Sequence, residues 1–117
     1  MNAVFFRIAA GLCFLAVALG AFGAHALKAK LQAHNMLDVW HTAVLYHFLH
    51  AITLLVLALY GAGNRGIYIL LLGGIGLFSG SLYLLALTNV RILGAITPIG
   101  GLCFLAGWAW LIFLPQR

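Results

Sequence analysis

Residues 36–60 decide the fold. Their sequence is MLDVWHTAVLYHFLHAITLLVLALY, a long apolar stretch in which Asp38 is the only charged side chain. A helix needs roughly 20 apolar residues to cross the ~30 Å hydrocarbon layer of a bilayer. The stretch therefore predicts a membrane-spanning helix from Met36 to Tyr60.

The rest of the chain has the same character. Of its 117 residues, 66% are hydrophobic and 6% are charged, whereas about a quarter of an ordinary soluble domain is charged. Three further apolar runs predict helices at Val4–Ala24, Gly66–Thr88 and Ile92–Leu114. Short connections make neighbouring helices antiparallel. We therefore predict an all-α membrane protein, with residues 1–117 forming one four-transmembrane-helix up-down bundle.

The first apolar run has an alternative interpretation. Arg7 followed by residues 8–24 also has the pattern of a secretory signal peptide, with small residues at its end. The run carries Gly11, Gly20 and Gly23, which permit close helix packing and which a discarded peptide does not need. We interpret it as the first transmembrane helix.

The first loop, residues 25–35, is polar enough to leave the hydrocarbon. At helical spacing, Leu27 and Leu31 share one side while Lys28, Gln32 and Asn35 share the other. This pattern predicts a short amphipathic surface helix. His25 and His34 are expected to be solvated there.

The start of the second span carries its own signals. Asn35 is expected to cap this helix through its side chain, which satisfies backbone N–H groups of the first turn. Asp38 then falls in the first turn, where the helix dipole favours a carboxylate.

The six basic residues lie at the ends of apolar runs, singly or in one pair, and give a formal charge of +5 against one acid. This is the pattern of interfacial anchors and not of a nucleic-acid site. On the side of the termini are Arg7, Arg65 and Arg117, and on the other side are Lys28, Lys30 and Arg91. The positive-inside rule gives no orientation from equal counts. We expect cytoplasmic termini, although a tie also suits a protein that inserts both ways and pairs as an antiparallel dimer.

Polar side chains inside the predicted spans are the main functional candidates, because each must be satisfied in the hydrocarbon. His47 lies roughly 16 Å into the second span at 1.5 Å per residue, and His50 follows one turn deeper. On the third span Ser79 and Tyr83 share a face, with Ser81 nearby. Antiparallel packing brings the two sets to similar depths, which predicts a polar seam between these spans.

The seam has two interpretations. A neutral imidazole has one donor and one acceptor nitrogen, so His47 and His50 are expected to bond the hydroxyls of Ser79 and Tyr83. The alternative is a ligand, haem, metal or proton site at the two histidines. Two ligands leave a zinc or copper shell incomplete, so we expect no metal and no cofactor.

Two observations disfavour active chemistry. The chain has no nucleophile elbow, no glycine-rich phosphate loop and no pair of carboxylates. Its only acid, Asp38, is near the membrane surface, which disfavours proton-coupled export. We therefore expect that the protein is not an enzyme.

Small residues recur at four-residue spacing in two spans. Ala16 and Gly20 lie in the first, and Gly76 and Gly80 lie in the third. Helix association in lipid depends on such close approach. We expect these positions to pack helices and the chain to form a homo-oligomer, most simply a dimer.

The chain resembles the domain-of-unknown-function 423 family, which also looks related to transmembrane protein 256 of animals. The matching stretches are 19–25 (LGAFGAH), Trp40 with Thr42-Ala43, 46–51 (YHFLHA), 78–83 (FSGSLY), 97–101 (TPIGG) and Gly107-Trp108. The resemblance implies a four-helix bacterial inner-membrane protein and implies no activity.

Three functions remain open from the sequence. The leading hypothesis is a structural or accessory protein of the cytoplasmic membrane that packs against itself or a larger membrane protein. The alternatives are a small transporter or channel, and a haem- or metal-binding protein. Its surroundings are the lipid bilayer, and no nucleic-acid partner is expected.

Overall fold

The computed structural model describes residues 2–61 and 64–115. Arg117 of the charge count lies outside these residues, as do Ala62 and Gly63 between the second and third predicted spans.

The described residues form helices joined by short turns. They are α1 (Ala3–Ala24), α2 (Lys28–Ala33), α3 (Leu37–Tyr60), α4 (Arg65–Gly74), α5 (Gly80–Thr88) and α6 (Thr97–Phe113). A π-helical segment, Ile75–Ser79, joins α4 to α5, and a 3₁₀ turn, Arg91–Ala95, precedes α6. Within the described part of the chain, four stretches are long and apolar enough to cross a membrane: Ala3–Ala24, Leu37–Tyr60, Arg65–Thr88 and Arg91–Phe113. The prediction of an all-α membrane protein with four spans is confirmed.

The short helix α2 occupies the first loop, as predicted, and buries Leu31 completely. The predicted cap at Asn35 is wrong. Asn35 instead adopts a left-handed conformation, with φ of 56°, that ends α2. Its N–H donates to the Gln32 carbonyl at 3.0 Å, and the Met36 N–H donates to the Leu31 carbonyl at 2.8 Å. This pair of bonds is a Schellman motif, so Asn35 terminates the surface helix and does not start α3.

The two middle spans form the interior of the molecule. In the most apolar part of each span, the share of residues buried inside the molecule is 33% for α3 and 39% for the span Arg65–Thr88. It is only 11% for α1 and 17% for the fourth span. α1 packs mainly on α3, and α6 packs mainly on α4 and the π-helical segment. The outer helices therefore keep most of their surface for lipid.

Besides Gly66, which lies against the Trp110 ring of α6, four glycines allow the closest approaches between spans. Added Cβ atoms at Gly23 and Gly74 would collide with the rings of Trp40 and Phe104. At Gly107 an added Cβ would lie 2.7 Å from Leu71 Cδ2. The fourth, Gly100, lies directly against the backbone of the π-helical segment at Leu77 and Phe78.

The glycines whose spacing predicted helix packing are not among the glycines at these closest approaches. A Cβ at Gly20 would meet Val44 Cγ1 at 3.4 Å, an ordinary contact between α1 and α3. At Gly76 and Gly80 it would meet nothing within 4 Å. These two positions lie on an open surface of the third span.

Candidate functional site

His50 joins α3 to α6. Its ring is 6% exposed and stacks on Phe104, with ring centroids 3.7 Å apart. The Nδ1 atom is 2.8 Å from the Tyr46 carbonyl oxygen, one turn earlier in α3. The indole N–H of Trp108 donates to Nε2 at 3.0 Å.

These partners assign the protonation of His50. A carbonyl oxygen only accepts and an indole N–H only donates. Nδ1 must therefore carry a proton and Nε2 must not, which is the neutral Nδ1–H tautomer. Both ring nitrogens are used, so the expected bond from His50 to Ser79 or Tyr83 is wrong.

His47 joins α3 to α5. The ring is 1% exposed, and its Nδ1 lies 2.8 Å from the Tyr83 hydroxyl oxygen. The backbone of Leu12 in α1 lies beside it. Nε2 is buried and has no hydrogen-bond partner of normal geometry among residues 2–61 and 64–115. His47 thus sits where three helices meet, with one nitrogen in a bond between helices.

Ser79 and Ser81 bond to different neighbours. The Ser79 hydroxyl is completely buried and donates to the Ala43 carbonyl of α3 at 2.8 Å. The Ser81 hydroxyl donates to the Phe78 carbonyl at 2.9 Å and lies 2.7 Å from the Thr97 hydroxyl at the start of α6. Because Ser81 has one proton, Thr97 is the donor in that second bond.

The predicted seam is therefore two separate sets of contacts. His47, Ser79 and Tyr83 lie between α3 and the third span, as the spacing predicted. His50 and Ser81 instead bond to α6. The one-turn spacing of His47 and His50 predicted a single seam, but their rings bond to different helices.

Aromatic rings surround His50 on the lipid-facing side. Tyr46 lies 4.6 Å from Phe78 between ring centroids, and Phe78 lies 5.6 Å from Phe104. With Trp108 they line a shallow groove of about 550 Å³. The groove is apolar, because aromatic and aliphatic side chains line it and both nitrogens of His50 are already bonded.

Sequence reasoning missed several polar contacts. The indole of Trp40 donates to the Leu19 carbonyl of α1 at 3.0 Å. His34 was expected to be solvated, but its Nδ1–H donates to the Ala86 carbonyl near the end of α5 at 3.0 Å. Trp108 lies in one of the stretches that resemble the family, but the sequence alone assigned no role to its side chain. A tryptophan N–H inside a span needs an acceptor, and this requirement was the available signal.

The described residues offer few ligands for a metal. They contain no group of three or more His, Cys, Asp or Glu side chains close enough to hold an ion. His50 could ligate a metal only by losing the bond from Trp108. The arrangement of these side chains serves to hold α3 against both the third span and α6.

Comparisons with known proteins agree with this architecture. The family model "Protein of unknown function (DUF423)" matches residues 19–101. The chain is 46% identical to the UPF0382 membrane protein YwdK of Bacillus subtilis over 115 residues, 93% of each chain. It is 49% identical to a UPF0382 membrane protein of Staphylococcus haemolyticus, over 92% of this chain and 91% of that one. No solved structure matches.

The family model thus reaches from the end of α1 to the start of α6 and includes His47, His50, Ser79 and Tyr83, and the two relatives match more than nine tenths of the chain. The relatives carry the description of membrane proteins and no activity. The chain belongs to the DUF423 family of membrane proteins, whose function is unknown.

Proposed function

We propose that the protein is a structural or accessory component of the cytoplasmic membrane that acts through helix packing and catalyses no reaction. The observation that carries this proposal is the use of the buried polar groups. His50 bonds to Trp108, Ser79 to Ala43 and Ser81 to Thr97, and each bond joins two different spans. Side chains committed in this way stabilise a scaffold.

Self-association is the form of packing that we propose, with a dimer as the simplest state. Gly76 and Gly80 support it, because both lie on an open surface of the third span. Glycine costs about 1 kcal/mol in a helix relative to alanine in water. Close approach of a second helix is a physical reason for glycine at such positions. A larger membrane protein is the alternative partner.

Replacing Gly80 with Leu tests this. A Cβ there meets nothing within 4 Å in the monomer, whereas a leucine side chain would block close approach of a second helix. We expect the Gly80→Leu variant to shift from dimer to monomer in native mass measurements and in cellular crosslinking. The matched control is Gly11→Leu, at an equally open glycine of α1. A wild-type protein that is monomeric in both mild detergent and lipid would contradict self-association.

The absorption spectrum and metal content of the purified protein test the haem or metal alternative. We expect no Soret band and no stoichiometric metal, because His50 already uses both nitrogens and the unpartnered Nε2 of His47 belongs to no group of three or more possible ligands among the described residues. Either signal would favour a redox or metal-binding role.

Cytoplasmic termini are also part of the proposal, and reporter fusions test that orientation.

A further inference from the structure

A cavity of about 290 Å³ opens where α1 and α4 begin and α3 ends. Its volume is close to the ~300 Å³ lower limit of typical small-molecule sites. All three helix ends lie on one side of the molecule, the side of the termini. The cavity is separate from His47 and His50.

The lining changes from polar to apolar with depth. At the mouth are Asn2, Gly61, Asn64 and Arg65, the residues at or next to the helix ends. About one turn deeper on each helix are the residues of the floor: Phe5, Leu57 and Tyr68. The ring of Phe5 stacks on Tyr68 at 4.0 Å, and the Tyr68 hydroxyl donates to the Phe5 carbonyl. The cavity therefore has a polar mouth at the membrane surface and an apolar floor.

Arg65 has no acidic partner at this end of the molecule. Asp38 is the only acidic side chain of the chain and lies in the first turn of α3, whereas the cavity is at the other end of that helix. The 24 residues of α3 correspond to about 36 Å at 1.5 Å per residue. No carboxylate side chain of this protein is therefore near enough to pair with the exposed Arg65 guanidinium, which leaves it available to an anion from outside.

The position of Arg65 in its helix also needs an explanation. It is the first residue of α4, where the helix dipole disfavours a cation by roughly 0.3–1 kcal/mol. An anion bound at the mouth of the cavity would interact favourably with both Arg65 and the helix dipole, and it would offset this unfavourable interaction. The caps add donors there, since the side-chain oxygens of Asn2 and Asn64 accept from Phe5 N at 3.1 Å and Ile67 N at 2.9 Å. The side-chain NH₂ groups of Asn2 and Asn64 therefore remain available to donate to an external acceptor.

We propose that this cavity binds one anionic phospholipid of the surrounding membrane, with its phosphate at Arg65 and its glycerol and first acyl carbons over Phe5, Leu57 and Tyr68. Arginine pairs with phosphate through two parallel hydrogen bonds, and the positive charge selects an anionic lipid over a zwitterionic one, whose phosphate is already neutralised by the cation of its own headgroup. The apolar floor selects a lipid over free phosphate.

Native mass spectrometry of the full chain, released from nanodiscs of equal phosphatidylglycerol and phosphatidylcholine, tests the proposal. We expect one retained phosphatidylglycerol in preference to phosphatidylcholine. Arg65→Gln should lower this preference about fivefold, equivalent to about 1 kcal/mol for one basic residue near an anionic surface. Arg65→Lys should lie between the two. Excess inorganic phosphate should not displace the lipid.

Two further variants distinguish lipid binding at this cavity from a general effect of positive charge and from a loss of folding. Arg91→Gln removes an exposed arginine at the 3₁₀ turn, outside the cavity, and should leave retention unchanged. Leu57→Phe narrows the floor and should lower retention with Arg65 intact. Equal retention of both lipids by the wild type would overturn the proposal, as would unchanged retention in Arg65→Gln, an equal loss in Arg91→Gln, or displacement by phosphate. Melting temperatures in detergent without anionic lipid check that each variant is folded, and Arg65→Gln should there melt no lower than the wild type because the dipole disfavours the arginine.

Discussion

Replacing His50 with Ala tests whether the bridge between α3 and α6 holds the bundle together. The change removes the acceptor for the Trp108 indole N–H and the donor to the Tyr46 carbonyl. It also removes the ring that stacks on Phe104 at 3.7 Å. His50→Gln is the matched variant, because its amide can still accept from Trp108 but cannot stack in the same way.

The magnitude follows from these contacts. A hydrogen bond between helices in a bilayer contributes about 0.6 kcal/mol and at most about 1.7. Leaving a buried donor unpaired costs about 1–3 kcal/mol, and an aromatic stack contributes about 0.5–1.5 kcal/mol. Since these contributions overlap, we expect His50→Ala to lower the free energy of unfolding by about 3 kcal/mol. His50→Gln should cost about 1 kcal/mol, mainly through the lost stack.

Unfolding in mixed micelles of a mild detergent and sodium dodecyl sulfate measures these free energies. His41→Ala, at an exposed histidine of the same helix, should change the free energy of unfolding by less than about 0.5 kcal/mol. Trp108→Phe replaces the indole with a smaller aromatic ring and removes the N–H, so a double-mutant cycle with His50→Ala measures the coupling between the two side chains. Undiminished stability of both His50 variants would refute the reasoning, and so would strictly additive effects in the cycle.

Three further predictions follow from the packing and topology. Gly100→Ala should destabilise the bundle by about 2 kcal/mol or more, because the added Cβ meets the backbone of the π-helical segment, whereas Gly11→Ala should be neutral or slightly stabilising in the same assay. Tyr83→Phe removes the hydroxyl bonded to His47 and should cost about 1 kcal/mol of unfolding free energy; unchanged stability would mean that this bond contributes nothing. Reporter fusions at Gly63 and at the C-terminus should report the same side of the membrane, and opposite signals would contradict four spans.

The predicted spans agree with the structure to within about one residue at most ends, and the physical reason is the bilayer. Hydrocarbon thickness sets the length of each apolar run, and polar residues mark where each run leaves the membrane. Met36–Tyr60 was predicted and Leu37–Tyr60 is observed. The limits of the fourth span agree as well, with Ile92–Leu114 predicted and Arg91–Phe113 observed, although its first part is a 3₁₀ segment and regular α-helix begins at Thr97.

The candidate side chains were identifiable from the sequence, but their partners were only partly so. A histidine inside a span must be satisfied, which selected His47 and His50 without any structure. The bond between His47 and Tyr83 was expected from depth and periodicity. The bond between His50 and Trp108 was not expected. Its two partners are 58 residues apart, and the hydropathy of the sequence does not indicate how their two spans are rotated relative to each other.

The sequence by itself determined the number of spans, their limits and the polar residues inside them, since these follow from the cost of placing polar groups in hydrocarbon. Only the tertiary structure decided which faces of the helices meet. The π-helical segment Ile75–Ser79 lies against Gly100, and the third span packs with Ser79 toward α3 and Ser81 toward α6. Lipid tails solvate apolar side chains as well as protein does, so an apolar sequence leaves helix rotation undetermined. Close contacts and a few hydrogen bonds determine it in three dimensions.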